Sequence, residues 1–307
     1  MKAIRNLLVV VDPTTEEQPA FEAGLAIAAT SGARLDLFAC EHRDAHVRYH
    51  PVELTVAQQF HDLILENLTR RLDRLAGIAR ERGVETRQTV AWAVPLYEEI
   101  IAKARELGAD LVVKGTQYHS KIRRTLFTGA DWHLIRDCPV PLLLVKDAHW
   151  PAQPVIVAAV DPLHAHDKPA ALDRQLLETA VLFKTLLDGR IEALHVYAMP
   201  GPLEVIGDAA AVATSAATLP HAPSLDDVRE ALASLLEPYG IASENQHVRV
   251  GRPAEGIVDF ATEQSAAFVV MGALSRSRLE RLFVGSTAEA VLDHLPCNVL
   301  VEKPGRR

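Results

Sequence analysis

"FVVMGA", Phe268–Ala273, decides how the rest of the chain is read. It is a short apolar run bounded by a glycine, the pattern of a buried strand. A glycine directly after a strand also lets the backbone come close to a bound group. "LVVKGT", Leu111–Thr116, has the same pattern, and placing Gly115 on Gly272 sets an offset of 157 residues. Without a gap, Lys121 then meets Arg278, Arg124 meets Arg281, Pro139 meets Pro296 and Lys146 meets Lys303. Upstream, Gly83-Val84 meets Gly240-Ile241, and Pro95 meets Pro253 one residue out of step. "LLVVVDP", Leu7–Pro13, matches "VIVAAVDP", Val155–Pro162. Matches that keep their order across whole halves indicate an internal repeat.

The boundary falls in "DAHWPAQP", Asp147–Pro154, which is polar and proline-containing and lies between two strand signals. The predicted units are 1–148 and 153–307. A chain of 307 residues has room for two such domains, and 49% hydrophobic with 23% charged residues is a globular balance. In the second half, strands are expected at Pro154–Val160, Ile191–Tyr197, His247–Val250, Ala267–Met271 and Asn298–Val301. Helices are expected at Leu172–Leu187, Ser224–Tyr239, Ala254–Gln264 and Ser286–Leu295. Ser224 caps a helix that places Leu225, Val228, Leu232 and Leu235 on one face. The first half follows the same order, with a long amphipathic helix from about Gln58 to Arg82. The segments before these amphipathic helices, "CEHRDAHVRYHPVEL" and "MPGPLEVIGDAAAVATSAATLPHAP", read as variable loops or short helices. Alternating strands and helices imply an α/β fold, a parallel sheet covered on both faces. Ligands of such sheets sit beyond the carboxyl ends of the strands, here the turns after Val160 and Met271.

The same features exclude several classes. No apolar run reaches the ~20 residues that span a bilayer, so no membrane role is expected. "MKAIRNLLVVVDP" ends its apolar run in Asp12-Pro13, a strand and turn rather than a signal peptide. A net charge of −8 argues against nucleic acid as a partner. Cys40, Cys138 and Cys297 lie far apart without CxxC spacing, which fits a reducing cytoplasm and buried packing roles. His42, His46 and His50, and His164, His166 and Asp167, are clusters read as solvated loop residues rather than a metal site. No Walker motif, HExxH or GxSxG is present, and no residue stands out as a general base or nucleophile, so no catalytic residue is assigned.

"GALSRSRLERLFVGST", Gly272–Thr287, carries the candidate ligand chemistry. Gly285 precedes a helix whose first residues are Ser286 and Thr287. Free backbone N–H groups and the helix dipole there suit a phosphate. Arg276, Arg278 and Arg281 add positive charge. Ser286-x-x-Glu289 also reads as a capping box that satisfies the helix by itself.

The strand-Asp-Pro turn, Gly251-x-Pro253, and the glycine series ending in Gly285-Ser286 before "HLPCNVLV" together resemble the universal stress protein family. The resemblance covers both halves, and "FTGADWHLIRDCPVPLLLVKDAHWP" looks like the tandem E-type members. It implies two copies of a five-stranded Rossmann-like parallel sheet, and a subgroup that binds ATP, with Mg, through Gly-x2-Gly-x9-Gly-Ser/Thr. Carried onto this chain, Gly272, after Met271, is the first glycine, Ser275 replaces the second, Gly285 is the third, and Ser286 follows with Thr287 beside it. Val160, Asp161 and Pro162 match the turn after the first strand, and Val196 of "LHVYA" matches the second-strand valine. In the first half Tyr118, Thr128 and Gly129 stand at the later positions and only Gly115 survives. No capping box is read at Gly129–Trp132, and this half is expected not to take nucleotide. Its expected role is an intramolecular pseudo-dimer in which "PLLLV" pairs with "NVLVE". The expected function is a cytoplasmic, regulatory stress-response protein. It would hold an adenine nucleotide in the C-terminal half only and act through protein partners. A nucleotide-free interaction scaffold and a slow ATP hydrolase are the alternatives, and further homodimerisation is left open.

Overall fold

A computed structural model describes residues 3–41, 51–119, 124–163, 170–198, 223–273 and 286–303. In the first half the chain runs β1 (Asn6–Val11), α1 (Pro19–Ser31), β2 (Arg34–Glu41), α2 (Pro51–Glu81), β3 (Thr86–Trp92), α3 (Leu96–Glu106) and β4 (Leu111–Gly115). A hairpin, β5 (Gln117–His119) and β6 (Arg124–Leu126), is followed by α4 (Gly129–Asp137) and β7 (Leu142–Val145). The second half repeats the order as β8 (Val155–Ala159), α5 (Ala170–Leu187), β9 (Arg190–Tyr197), α6 (Leu225–Leu236), β10 (Gln246–Val250), α7 (Pro253–Glu263), β11 (Phe268–Gly272), α8 (Ser286–His294) and β12 (Asn298–Glu302).

Ten strands form one sheet in the order β10-β9-β8-β11-β12-β7-β4-β1-β2-β3. Every pairing within a half is parallel, and the halves meet where β12 lies antiparallel to β7, with Leu300 opposite Leu143. The apolar runs explain this placement. Leu142–Val145 and Asn298–Glu302 are buried throughout, as strands covered on both faces must be. One core layer joins Leu7, Leu37 and Leu143 to Ile156, Phe183 and Phe268 on one face, and the other joins Leu8, Phe38 and Leu144 to Val157, Phe260 and Val299. Each layer runs across the seam.

Polar contacts close the seam. Lys303 Nζ donates to the carbonyls of Leu134 and Cys138, each at 2.9 Å, at the end of α4. Lys146 Nζ donates to the Leu295 carbonyl at 2.5 Å, just past the end of α8. Each half thus supplies the cation that the other half's last helix terminus favours. Burial lowers the Lys146 pKa to about 8. Asn298 ties the connection down: its Oδ1 accepts from the Lys146 and Asp147 amides at 2.8 and 3.1 Å, and its Nδ2 donates to the Asp147 carbonyl at 2.8 Å. Trp150, in the same connection, packs on Phe268 with ring centroids 5.0 Å apart.

The expected elements are present with shifted ends. Helix α2 begins at Pro51, so the last residues of the first variable segment are helical; proline is tolerated in a first turn because its missing N–H has no partner there. Helix α6 ends at Leu236 and tightens into a 3-10 turn at Glu237–Tyr239, where Pro238 removes a donor. Its buried face is Val228, Leu232 and Leu236, while Leu225 is exposed. Ser224 does cap it, accepting from the Asp227 amide at 3.2 Å while the Asp227 carboxylate accepts from the Ser224 amide at 2.8 Å. Ser224→Ala should cost about 1 kcal/mol, read as a lower urea midpoint at unchanged slope.

Candidate functional site

The carboxyl ends of β1 and β4 face the start of α4, and the ends of β8 and β11 are the matching edge of the second half. These are the two places where a ligand of this architecture would lie.

In the first half the chain's own carboxylate caps the start of α4. Asp131 is buried, and its Oδ2 accepts from the Thr128 amide at 2.7 Å and the Thr128 hydroxyl at 2.8 Å. Lys114 Nζ lies 2.7 Å from its Oδ1, with both side chains largely out of solvent. Thr128 is the N-cap and Asp131 the third helical residue, a complete capping box. This corrects the expectation of no box at Gly129–Trp132. The cap stands one residue earlier than the matched serine position, and Asp does the work usually given to Glu or Gln. The pattern Thr128-x-x-Asp131 was visible in the sequence, whereas the reach of Lys114 from β4 was not. On the strand side, Asp12 is satisfied locally, its Oδ1 accepting from the Thr14 amide at 2.8 Å and hydroxyl at 2.6 Å. Between these two ends lies a cavity of about 430 Å³.

The second half is built differently. Helix α8 is described from Ser286 to His294, so Ser286 and Thr287 are helical. Ala288 stands where the first half has Asp131, and Met271 where it has Lys114. Ser275, Gly285 and the arginines Arg276, Arg278 and Arg281 lie outside the described residues, as do both histidine clusters. Val160, Val196 and Met271 are buried. Val196 sits under α7, where a Cβ added to Gly256 would come 2.9 Å from its Cγ1. Gly272 closes β11, and a Cβ there would come 2.7 Å from Leu172 Cδ2 of α5, so a larger residue would have to displace that leucine. Gly115 has no such constraint; its added Cβ would make ordinary contact with Pro19 at 3.6 Å.

Asp161, beside Pro162, holds the turn after β8. Its amide donates to Asp173 Oδ1 at 3.1 Å. Its own Oδ1 is buried without a hydrogen-bond partner among the described residues, 4.0 Å from His195 Nδ1. His195 is buried and its Nδ1 lies 3.1 Å from the Val160 carbonyl, which assigns the proton to Nδ1. Sequence reasoning missed His195 because it sits within an apolar strand.

All three cysteines are buried, and burial raises each thiol above its ordinary range, Cys297 to about 12. Such thiols are poor nucleophiles. Among the described residues there is no cluster of metal-binding side chains and no helix long and apolar enough to cross a membrane.

The fold defines a tandem, doubly wound α/β protein, two half-sheets joined edge to edge. The model of the universal stress protein family matches residues 3–146 and again 155–303, and the chain belongs to that family. Universal stress protein E of Escherichia coli strain K12 is 30% identical over 315 aligned residues, covering 99% of this chain and 95% of that one. The Haemophilus influenzae homologue is 25% identical, covering 99% and 98%. A crystal structure of a putative universal stress protein from Pseudomonas aeruginosa UCBPP-PA14 superposes with a TM-score of 0.73 at 27% identity, covering 99% of this chain and 94% of that one. One from Archaeoglobus fulgidus DSM 4304 has a TM-score of 0.67 at 16% identity, covering 97% and 98%, and shows the shared fold.

Proposed function

We propose that this member of the stress-response family is a regulatory, cytoplasmic protein that takes an adenine nucleotide with Mg in its C-terminal half and acts through protein partners. The observation that carries this is Asp161 Oδ1, a buried acceptor with no hydrogen-bond partner among the described residues, at the turn where a ligand of the half-sheet would lie. A buried, unpaired carboxylate oxygen is costly, and an N–H donor of a purine would satisfy it. The equivalent Asp12 has no such vacancy, since Thr14 fills it. At the other end, Ala288 stands where the first half has its capping acid, and the N–H groups of a helix start suit phosphate. Ser275, Ser286 and Thr287 are the hydroxyl-bearing residues of that stretch of sequence.

Titration of the full chain with Mg-ATP in a calorimeter tests this. One site per chain is expected. Asp161→Ala should weaken it about tenfold, the loss of one buried hydrogen bond. Ala288→Asp, which copies the first half's acid, should abolish it. Two sites would overturn the restriction to one half, and no heat would leave the chain an interaction scaffold. The scaffold reading has one observation in its favour: packing against Leu172 is enough to account for Gly272.

A further inference from the structure

The first-half cavity has the volume of a small-molecule site and the wrong chemistry for a nucleotide. Val10, Val11, Cys40, Pro95, Leu96 and Tyr97 give it an apolar side. Tyr97 stacks flat on His133 at the rim, ring centroids 3.9 Å apart and planes 8° from parallel. The opposite side is the start of α4, with Thr128, Gly129 and Ala130. In an open helix start those backbone N–H groups would receive an external anion. Here Asp131 takes the Thr128 amide and is paired with Lys114, the ammonium group of the cavity lining, so a carboxylate stands beside the Gly129 and Ala130 amides and the nearby cation is already engaged. Asp12 adds a second carboxylate to the lining. A phosphate or sulfonate entering this space would meet two carboxylates and a cation already engaged.

We propose that this cavity binds a small uncharged molecule with a flat apolar face, and that Asp131 acts as a built-in anion that keeps phosphorylated ligands out. The volume, the apolar side and the stacked ring pair favour such a molecule. The carboxylates of Asp131 and Asp12 in the lining set the exclusion. The first half is then a ligand site of different class rather than an inert copy of the second. This holds whether or not the C-terminal half takes nucleotide.

Two dyes that share a ring system separate the terms. N-phenyl-1-naphthylamine is neutral, and 1-anilinonaphthalene-8-sulfonate is the same skeleton with an added anion. Fluorescence titration of the full chain should give saturable binding of the neutral dye at one site per chain. The sulfonate should bind at least about tenfold more weakly, the scale of one like-charge contact near a surface. Cys40→Phe fills the cavity floor and should remove the neutral dye's signal. Gly129→Leu provides a second blocking variant that folding should tolerate, because an added Cβ there meets nothing within 4 Å. Asp131→Asn keeps a cap acceptor, frees Lys114 and should bring the sulfonate to within about twofold of the neutral dye. Circular dichroism and the thermal midpoint establish that each variant is folded. Equal binding of both dyes by the parent chain would overturn the proposal. So would neutral-dye binding that survives in a folded blocking variant, or a sulfonate affinity that Asp131→Asn leaves unchanged. Loss of Mg-ATP binding in Ala288→Asp with both dye results intact would show the two sites to be independent.

Discussion

Asn298→Ala is expected to lower the unfolding free energy by about 3 kcal/mol, seen as a lower denaturation midpoint monitored by tryptophan fluorescence. Asn298 is buried at the start of β12 and makes three hydrogen bonds to Lys146 and Asp147, where the chain leaves the first half. Alanine leaves two amides and a carbonyl without their partner, and each costs far more unpaired than a solvated group would. Trp150, packed against Phe268 a few residues on, lies in the segment that loses its anchor, so its emission should shift red before the other tryptophans respond. Pro141 stands at the matching place in the first half, so this clamp has no twin. A change under about 0.5 kcal/mol would mean that water replaces all three bonds and the connection needs no anchor.

Glu302→Gln should stabilise the protein at pH 8 by about 3 kcal/mol and have no effect near pH 4.5. Burial is the main force raising the Glu302 carboxyl to about 7, against which the Thr179 hydroxyl bond at 2.5 Å is a smaller opposing effect. The sign follows from the proton count. Between the ordinary carboxylate value and 7 the folded chain binds this proton and the unfolded chain does not, so stability falls as pH rises through that window. Above it the folded state must hold a buried carboxylate. Glutamine can accept from Thr179 in the same way without the charge. Urea melts of both proteins at several pH values would show the parent curve falling from pH 4.5 to 8 and the variant staying flatter. Parallel curves would place the titration elsewhere.

The repeat was readable because packing repeats. Gly115 and Gly272, Lys146 and Lys303, and the paired apolar runs kept their spacing, and those runs are the strands that pair at the seam. What local pattern could not show was anything made by distant residues. Lys114 reaches Asp131 from another element, and the two lysines cap helices of the opposite half. The long helix began earlier than its hydrophobic period suggested, because a proline-led first turn carries no amphipathic signal. The packing of Gly272 against Leu172, which lies 100 positions away in the sequence, was hidden for a similar reason. Reading the first half by its missing glycines drew attention from the cavity that remained there.

The antiparallel joining of β7 to β12 has a genetic corollary. When two separate copies of one domain assemble along this edge, a single gene writes both sides, and every substitution is made twice. Here both sides lie in one reading frame but at different codons. An aspartate can therefore fix itself at position 131 without appearing at 288, and a lysine at 114 without displacing Met271. The joined edge preserves the architecture of a symmetric pair while releasing its members from identity, so one ligand position can be retired or reassigned while its twin keeps the ancestral chemistry.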